Sequence, residues 1–108
     1  MQAVLTTSAI REIKDIKFEL STLFEKLNSA DNNLKSAIEN EVVSYGESAI
    51  EFLIDKLTGS KGVQRGVAAM SLIRIGEGSI NPLRQLAEAN KNFAWVSEYI
   101  IKEIEGTF

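Results

Sequence analysis

From residue 8 onward, apolar residues recur at alternating steps of three and four, broken by short polar or glycine-containing stretches. This is the pattern of successive amphipathic helices. The first stretch, 8–28, places Ile10, Ile13, Ile16, Leu20, Leu23, Phe24 and Leu27 on one stripe. Thr7 or Ser8 is available to cap it. Phe18 lies off the stripe and is expected to be exposed. The run Asn28-Ser29-Ala30-Asp31-Asn32 predicts a break and a new N-cap. A second helix is predicted over 33–45, with Leu34, Ala37, Ile38, Val42 and Tyr45 as its apolar positions. Gly46 follows, suited to a left-handed helix end. A third helix follows over 48–57, and Ser60 is the expected cap of a fourth over 63–75. That fourth helix is apolar around much of its circumference and is expected to be the most buried. A fifth, over 79–89, has Pro82 in its first turn, where no intrahelical bond is lost. A sixth carries Phe93, Trp95, Val96, Tyr99, Ile100, Ile101 and Ile104, before Gly106.

The pattern also repeats. Residues 34–53 set above 64–83 align their apolar positions, their Gly-Glu steps (Gly46-Glu47 and Gly76-Glu77) and their small-plus-Ile steps (Ala49-Ile50 and Ser79-Ile80). An imperfect third copy runs over 93–106. A period near thirty residues marks stacked-repeat proteins, whose units cannot bury an apolar face alone. Short connections require each helix pair to lie antiparallel. The expected architecture is all-α: a right-handed α-α superhelix of about three helix pairs, six helices in all. It forms one domain over 1–108, with repeats near 8–45, 47–75 and 78–106 and a flexible N-terminus at 1–7.

Composition narrows the chemistry. The chain has 108 residues, 44% hydrophobic and 25% charged, ordinary values for a folded domain. It has no cysteine and no histidine. That removes disulfides, thiolate chemistry, the commonest metal ligands and every Ser/His or Cys/His mechanism. No phosphate loop or metal-ligand cluster is present, so neither an enzyme nor a cofactor is expected. Glu47 and Glu51 are explained as helix-start carboxylates. Neither a signal peptide nor a membrane span is legible, and a cytoplasmic location is the expectation.

The stretch 64–76, followed by Ile80-Asn81-Pro82-Leu83, resembles the HEAT-like repeat in the short bacterial form named after phycobilisome lyases. Arg65, Ala68, Ala69, Leu72, Arg74, Ile75, Gly76, Pro82 and Leu83 carry the resemblance. It extends over roughly 34–90, weakens over 91–106 and hardly reaches before 33. No aspartate precedes Arg65 where many members place one; Lys35 and Ala94 hold the arginine position in the other copies. The resemblance implies stacked helix pairs whose groove binds another macromolecule. Some relatives assist bilin attachment or removal, although those lyases are considerably larger.

Charge is unevenly placed. Residues 1–55 hold five Lys or Arg against ten Asp or Glu; residues 56–91 hold six against two. A basic band would attract an acidic protein surface. Alternatively, Arg65 and Arg74 tie neighbouring repeats together, since nine residues turn a helix about 180° and point them apart. The overall charge of −3 argues against nucleic acid. The expected role is a small non-catalytic protein-binding adaptor or scaffold, monomeric in preference to a homo-oligomer, for a protein partner with an acidic surface. The candidate contact residues are Lys35, Gln64, Arg65, Arg74, Trp95, Glu98 and Tyr99, with Glu39 and Ser71 on the same helices. Trp95 is expected to pack on the fifth helix as the end of the core; Tyr99 is open. Two other readings remain: an accessory factor of the bilin-lyase-like class, and a piece of a larger assembly.

Overall fold

A computed structural model describes residues 16–106. The described residues form six α-helices and no strand: α1 over 16–26, α2 Asn32–Ser44, α3 Ile50–Gly59, α4 Gly62–Ile75, α5 Ile80–Ala89 and α6 Ala94–Glu105. The expected flexible segment 1–7, the caps Thr7 and Ser8, and Ile10 and Ile13 lie outside the described residues.

Local chemistry sets these boundaries. The Asp31 carboxylate accepts from the Leu34 amide at 2.8 Å and caps α2, as the break after α1 predicts. The thirty-residue repeat reappears as a repeated local structure. Gly46, at φ 60°, leads through a 3-10 turn, Gly46–Ala49, into α3 at Ile50. Gly76, at φ 91°, leads through a 3-10 turn, Glu77–Ser79, into α5 at Ile80. Both glycines take a backbone conformation that a side chain would strain. The start of α4 differs from expectation. The Ser60 hydroxyl turns back to the Lys56 carbonyl and closes α3, while α4 begins after Lys61 with no side-chain cap.

Helices α3 and α4 pack as one hairpin and α5 and α6 as another. Helix α4 also packs on α2 and α6, so these three form one layer; α3 and α5 touch more lightly in the other. The ring of Phe24 on α1 meets Phe52 on α3 edge-on, with centroids 5.2 Å apart, which places α1 against α3. A single apolar core runs through the described helices. It joins Leu20, Phe24 and Leu27 to Ile38, Val42, Leu53, Leu57, Leu72, Leu83 and Ile100. Helix α4 contributes Val67, Ala68, Ser71 and Leu72 to the interior and has packed neighbours on several sides. Two apolar positions depart from or confirm their sequence assignments: Leu34, expected on the inner stripe of α2, is exposed, and Phe18 is exposed as its off-stripe position predicts.

Helices α1 and α2 are linked by the Tyr45 hydroxyl, which donates to the Glu19 carboxylate. That hydrogen bond, with burial and the charges of Glu19 and Glu41, pushes the Tyr45 phenol up to about 12. The folded state therefore holds this proton at pH values where an unfolded tyrosine, ionising near 10, has lost it. The stabilisation from this pair is complete below pH 10 and is lost as pH rises through about 12. In a Tyr99→Phe background, spectrophotometric titration should show Tyr45 ionising well above 10. Glu19→Gln should bring it back towards 10; an unchanged titration would refute the linkage.

Candidate functional site

The candidate residues fall on α2, α4 and α6, and the structure divides them into two groups. The first group holds the molecule together. The Gln64 side-chain amide donates to the Phe24 carbonyl at 3.0 Å, fastening the start of α4 to the end of α1. Arg65 donates from Nε to the Leu57 carbonyl at 3.0 Å, and its guanidinium lies 5.5 Å from the centre of the Phe93 ring. One side chain thus joins the last turn of α3 to the turn that precedes α6. Arg74 pairs with Glu39 on α2 at 2.9 Å and also donates to Asn40 Oδ1 at 2.9 Å.

Arg65 and Arg74 therefore point to different neighbours, and both tie helices together. The Arg74 charge is paired with Glu39, whereas Arg65 is anchored by a carbonyl and a ring without an acidic partner among the described residues. The Arg74 pair stays partly solvated, so its contribution is of order 0–1 kcal/mol. Lys35 is partly buried on α2. Ser71, proposed for the same surface, is fully buried on the inner side of α4.

The second group faces outward. Trp95 is 70% exposed, which corrects its expected place at the end of the core. The buried residues of α6 are Ser97, Ile100 and Ile101, on the opposite arc from Trp95. No further helix among the described residues covers the arc where Trp95 and Tyr99 sit. Tyr99, one turn on, is half exposed; its phenol is held above the usual tyrosine range by a hydrogen bond to Glu103 and by that carboxylate's charge. Glu98 is exposed beside them. Met70, which the apolar character of α4 hid among core positions, also faces outward. It lies on the outward arc of α4, opposite Ala68, Ser71 and Leu72, and is half exposed. The contact of Arg65 with Phe93 sets the start of α4 beside the start of α6. Gly66 and Met70 are exposed on α4, as Trp95 and Tyr99 are on the neighbouring α6. At Gly66 a side chain would meet nothing within 4 Å, so the surface there is open.

Comparison with known proteins adds no relative: no family model, no curated protein and no solved structure matches this chain. The site must therefore be read from its own chemistry. Among the described residues no group of three or more His, Cys, Asp or Glu is placed to hold a metal ion. No described helix is long and apolar enough to cross a membrane. What these helices expose is aromatic surface on α6, with Glu98 nearby, and a thioether on α4.

Proposed function

We propose that this chain is a small, non-catalytic protein-binding module of the HEAT-like class, a right-handed superhelix of three helix pairs. Its contact surface is the outer face of α2, α4 and α6. The observation that carries the reading is the exposure of Trp95 and Tyr99, one helical turn apart, on the outward arc of the last helix. Tryptophan and tyrosine are over-represented among the residues that dominate binding energy at protein interfaces. Met70, half exposed on α4, is a further adaptable apolar side chain of the kind found at such surfaces. The superhelix is supported by the repeated glycine, 3-10 turn and helix sequence at Gly46 and Gly76, and by the row α2, α4, α6.

The test is affinity capture from the native cell extract with the wild-type chain and with Trp95→Ala/Tyr99→Ala. Both side chains are exposed, so the variant should keep its helicity and lie within about 0.5 kcal/mol of wild-type stability. A partner captured by the wild type should bind the variant at least about 30-fold more weakly, the equivalent of roughly 2 kcal/mol for a dominant interface aromatic. Because Trp95 is the only tryptophan, its fluorescence should shift to the blue when that partner binds. Equal capture by the variant, or capture of nothing by either, would reject the reading. Self-association of the wild-type chain, lost in the variant, would instead assign the face to contact between copies of this chain.

A further inference from the structure

The other layer carries a feature that the outer face does not use. Between α3 and α5 lies an open groove of about 590 Å³. Its floor is apolar, made by Ile50 and Ile54 from α3 and by Pro82 and Leu86 from α5. One wall is acidic: Glu47, Glu51 and Asp55 succeed one another at four-residue steps along α3 and the turn before it. The opposite wall, with Gln85 and Ala89, is uncharged. Gly78, also in the lining, lies directly under the Glu47 side chain. A Cβ there would stand 3.0 Å from Cγ and Cδ of Glu47, whose side chain crosses over it.

The charge of this wall is not answered by the groove itself. No lysine or arginine lines it, and none of its three carboxylates forms an ion pair among the described residues. The neighbouring cations are turned elsewhere. Lys56 sits 5.5 Å above the ring of Phe52, and Arg84 faces Glu105 on α6 at 3.8 Å. Lys17 lines the adjacent crevice with Glu51 but is not paired with it.

We propose that this groove binds a cationic amphipathic helix supplied by a partner protein. Three features select that occupant. The floor matches the apolar stripe of such a helix, as in other helix-in-groove complexes. Carboxylates spaced by about one helical turn meet lysines or arginines repeated at three or four residues on a helix lying alongside. The negative wall, unpaired among the described residues, rejects an acidic segment and favours a basic one. The groove is also open to solvent, in contrast to the pockets that enclose most of a small ligand. The proposal concerns a second surface and does not depend on Trp95.

The probe is a fluorescently labelled peptide of about 14 residues, long enough for about 21 Å of helix, with leucine on one stripe and lysine elsewhere. Its partner probe replaces every lysine by glutamate. Anisotropy should show saturable binding of the lysine peptide only, at least about tenfold weaker when salt is raised from about 0.05 to about 0.5 M. Glu51→Lys/Asp55→Lys should weaken binding at least tenfold. The equally charged control Glu25→Lys/Glu88→Lys, outside the groove, should change it less than about threefold, and Trp95→Ala should leave it unchanged. Should the lysine substitutions in the groove disturb folding, Glu51→Gln/Asp55→Asn must still weaken binding. Amide chemical-shift changes should cluster on α3 and α5. Equal losses in groove and control variants, equal binding of the glutamate peptide, or shifts centred on α6 would overturn the proposal, as would absence of saturable binding.

Discussion

Phe24→Ala is expected to lower the unfolding free energy by about 3–5 kcal/mol, the range for deleting a fully buried aromatic ring. Phe24 has no exposed surface and packs edge-on against Phe52, so its removal opens a cavity between α1 and α3. Its carbonyl also receives the Gln64 amide, and a shift of α1 would loosen that tie to α4. The control lies on the same helix: Phe18 is 73% exposed, and Phe18→Ala should change stability by no more than about 0.5 kcal/mol. Chemical denaturation of both variants measures the difference. Equal effects would mean that α1 is rotated relative to the arrangement described here.

Leu72→Ala is expected to cost about 2–5 kcal/mol. The side chain is fully buried in the helix that packs on α2, α3 and α6 together. Its carbonyl accepts both the Gly76 amide at 3.1 Å and the buried Ser79 hydroxyl at 3.0 Å, so relaxation around a cavity is restrained at the junction with α5. Met70→Ala, two residues earlier on the outward arc, should be nearly neutral, because that side chain is half exposed. Against a typical total of about 5–15 kcal/mol, either core substitution should remove a large share of the stability. Thermal unfolding of the Leu72 and Met70 variants side by side distinguishes the two faces of α4.

Several local features were legible because their signals lie close by in sequence, although the start of α4 was not, since Ser60 bonds back into α3. The Asp31 cap, the Gly76 and Gly106 helix ends and the exposure of Phe18 depend on spacing and on residues a few positions away. The exposure of Trp95 was not legible. Helix α6 carries apolar residues on nearly every side, and only the absence of a covering helix among the described residues decides which of them faces water. The same holds for Leu34 on α2. The roles of the arginines were half legible. Their nine-residue separation shows that they point apart, but the Leu57 carbonyl and the Phe93 ring that engage Arg65 come from other elements. The α3/α5 groove shows in sequence only as carboxylates every fourth residue, a pattern that helix-start electrostatics explains equally well. Its apolar floor needs Pro82 and Leu86 from the next repeat.

The way α4 sits between α2 and α6 also bears on how the molecule comes together and comes apart. Its strongest packing joins helices adjacent or nearly adjacent in sequence, so only short chain segments must close before apolar burial begins. Such local topologies fold rapidly. At one end α2 rests mainly on α4, whereas at the other α6 is held chiefly by α5 and only secondarily by α4, so an opening there carries the α5–α6 hairpin as a unit. Opening of this kind proceeds in sub-global units, the least supported first. Trp95 is therefore carried on a paired element, and its exposed surface moves with the α5–α6 hairpin, not with a single loosened helix.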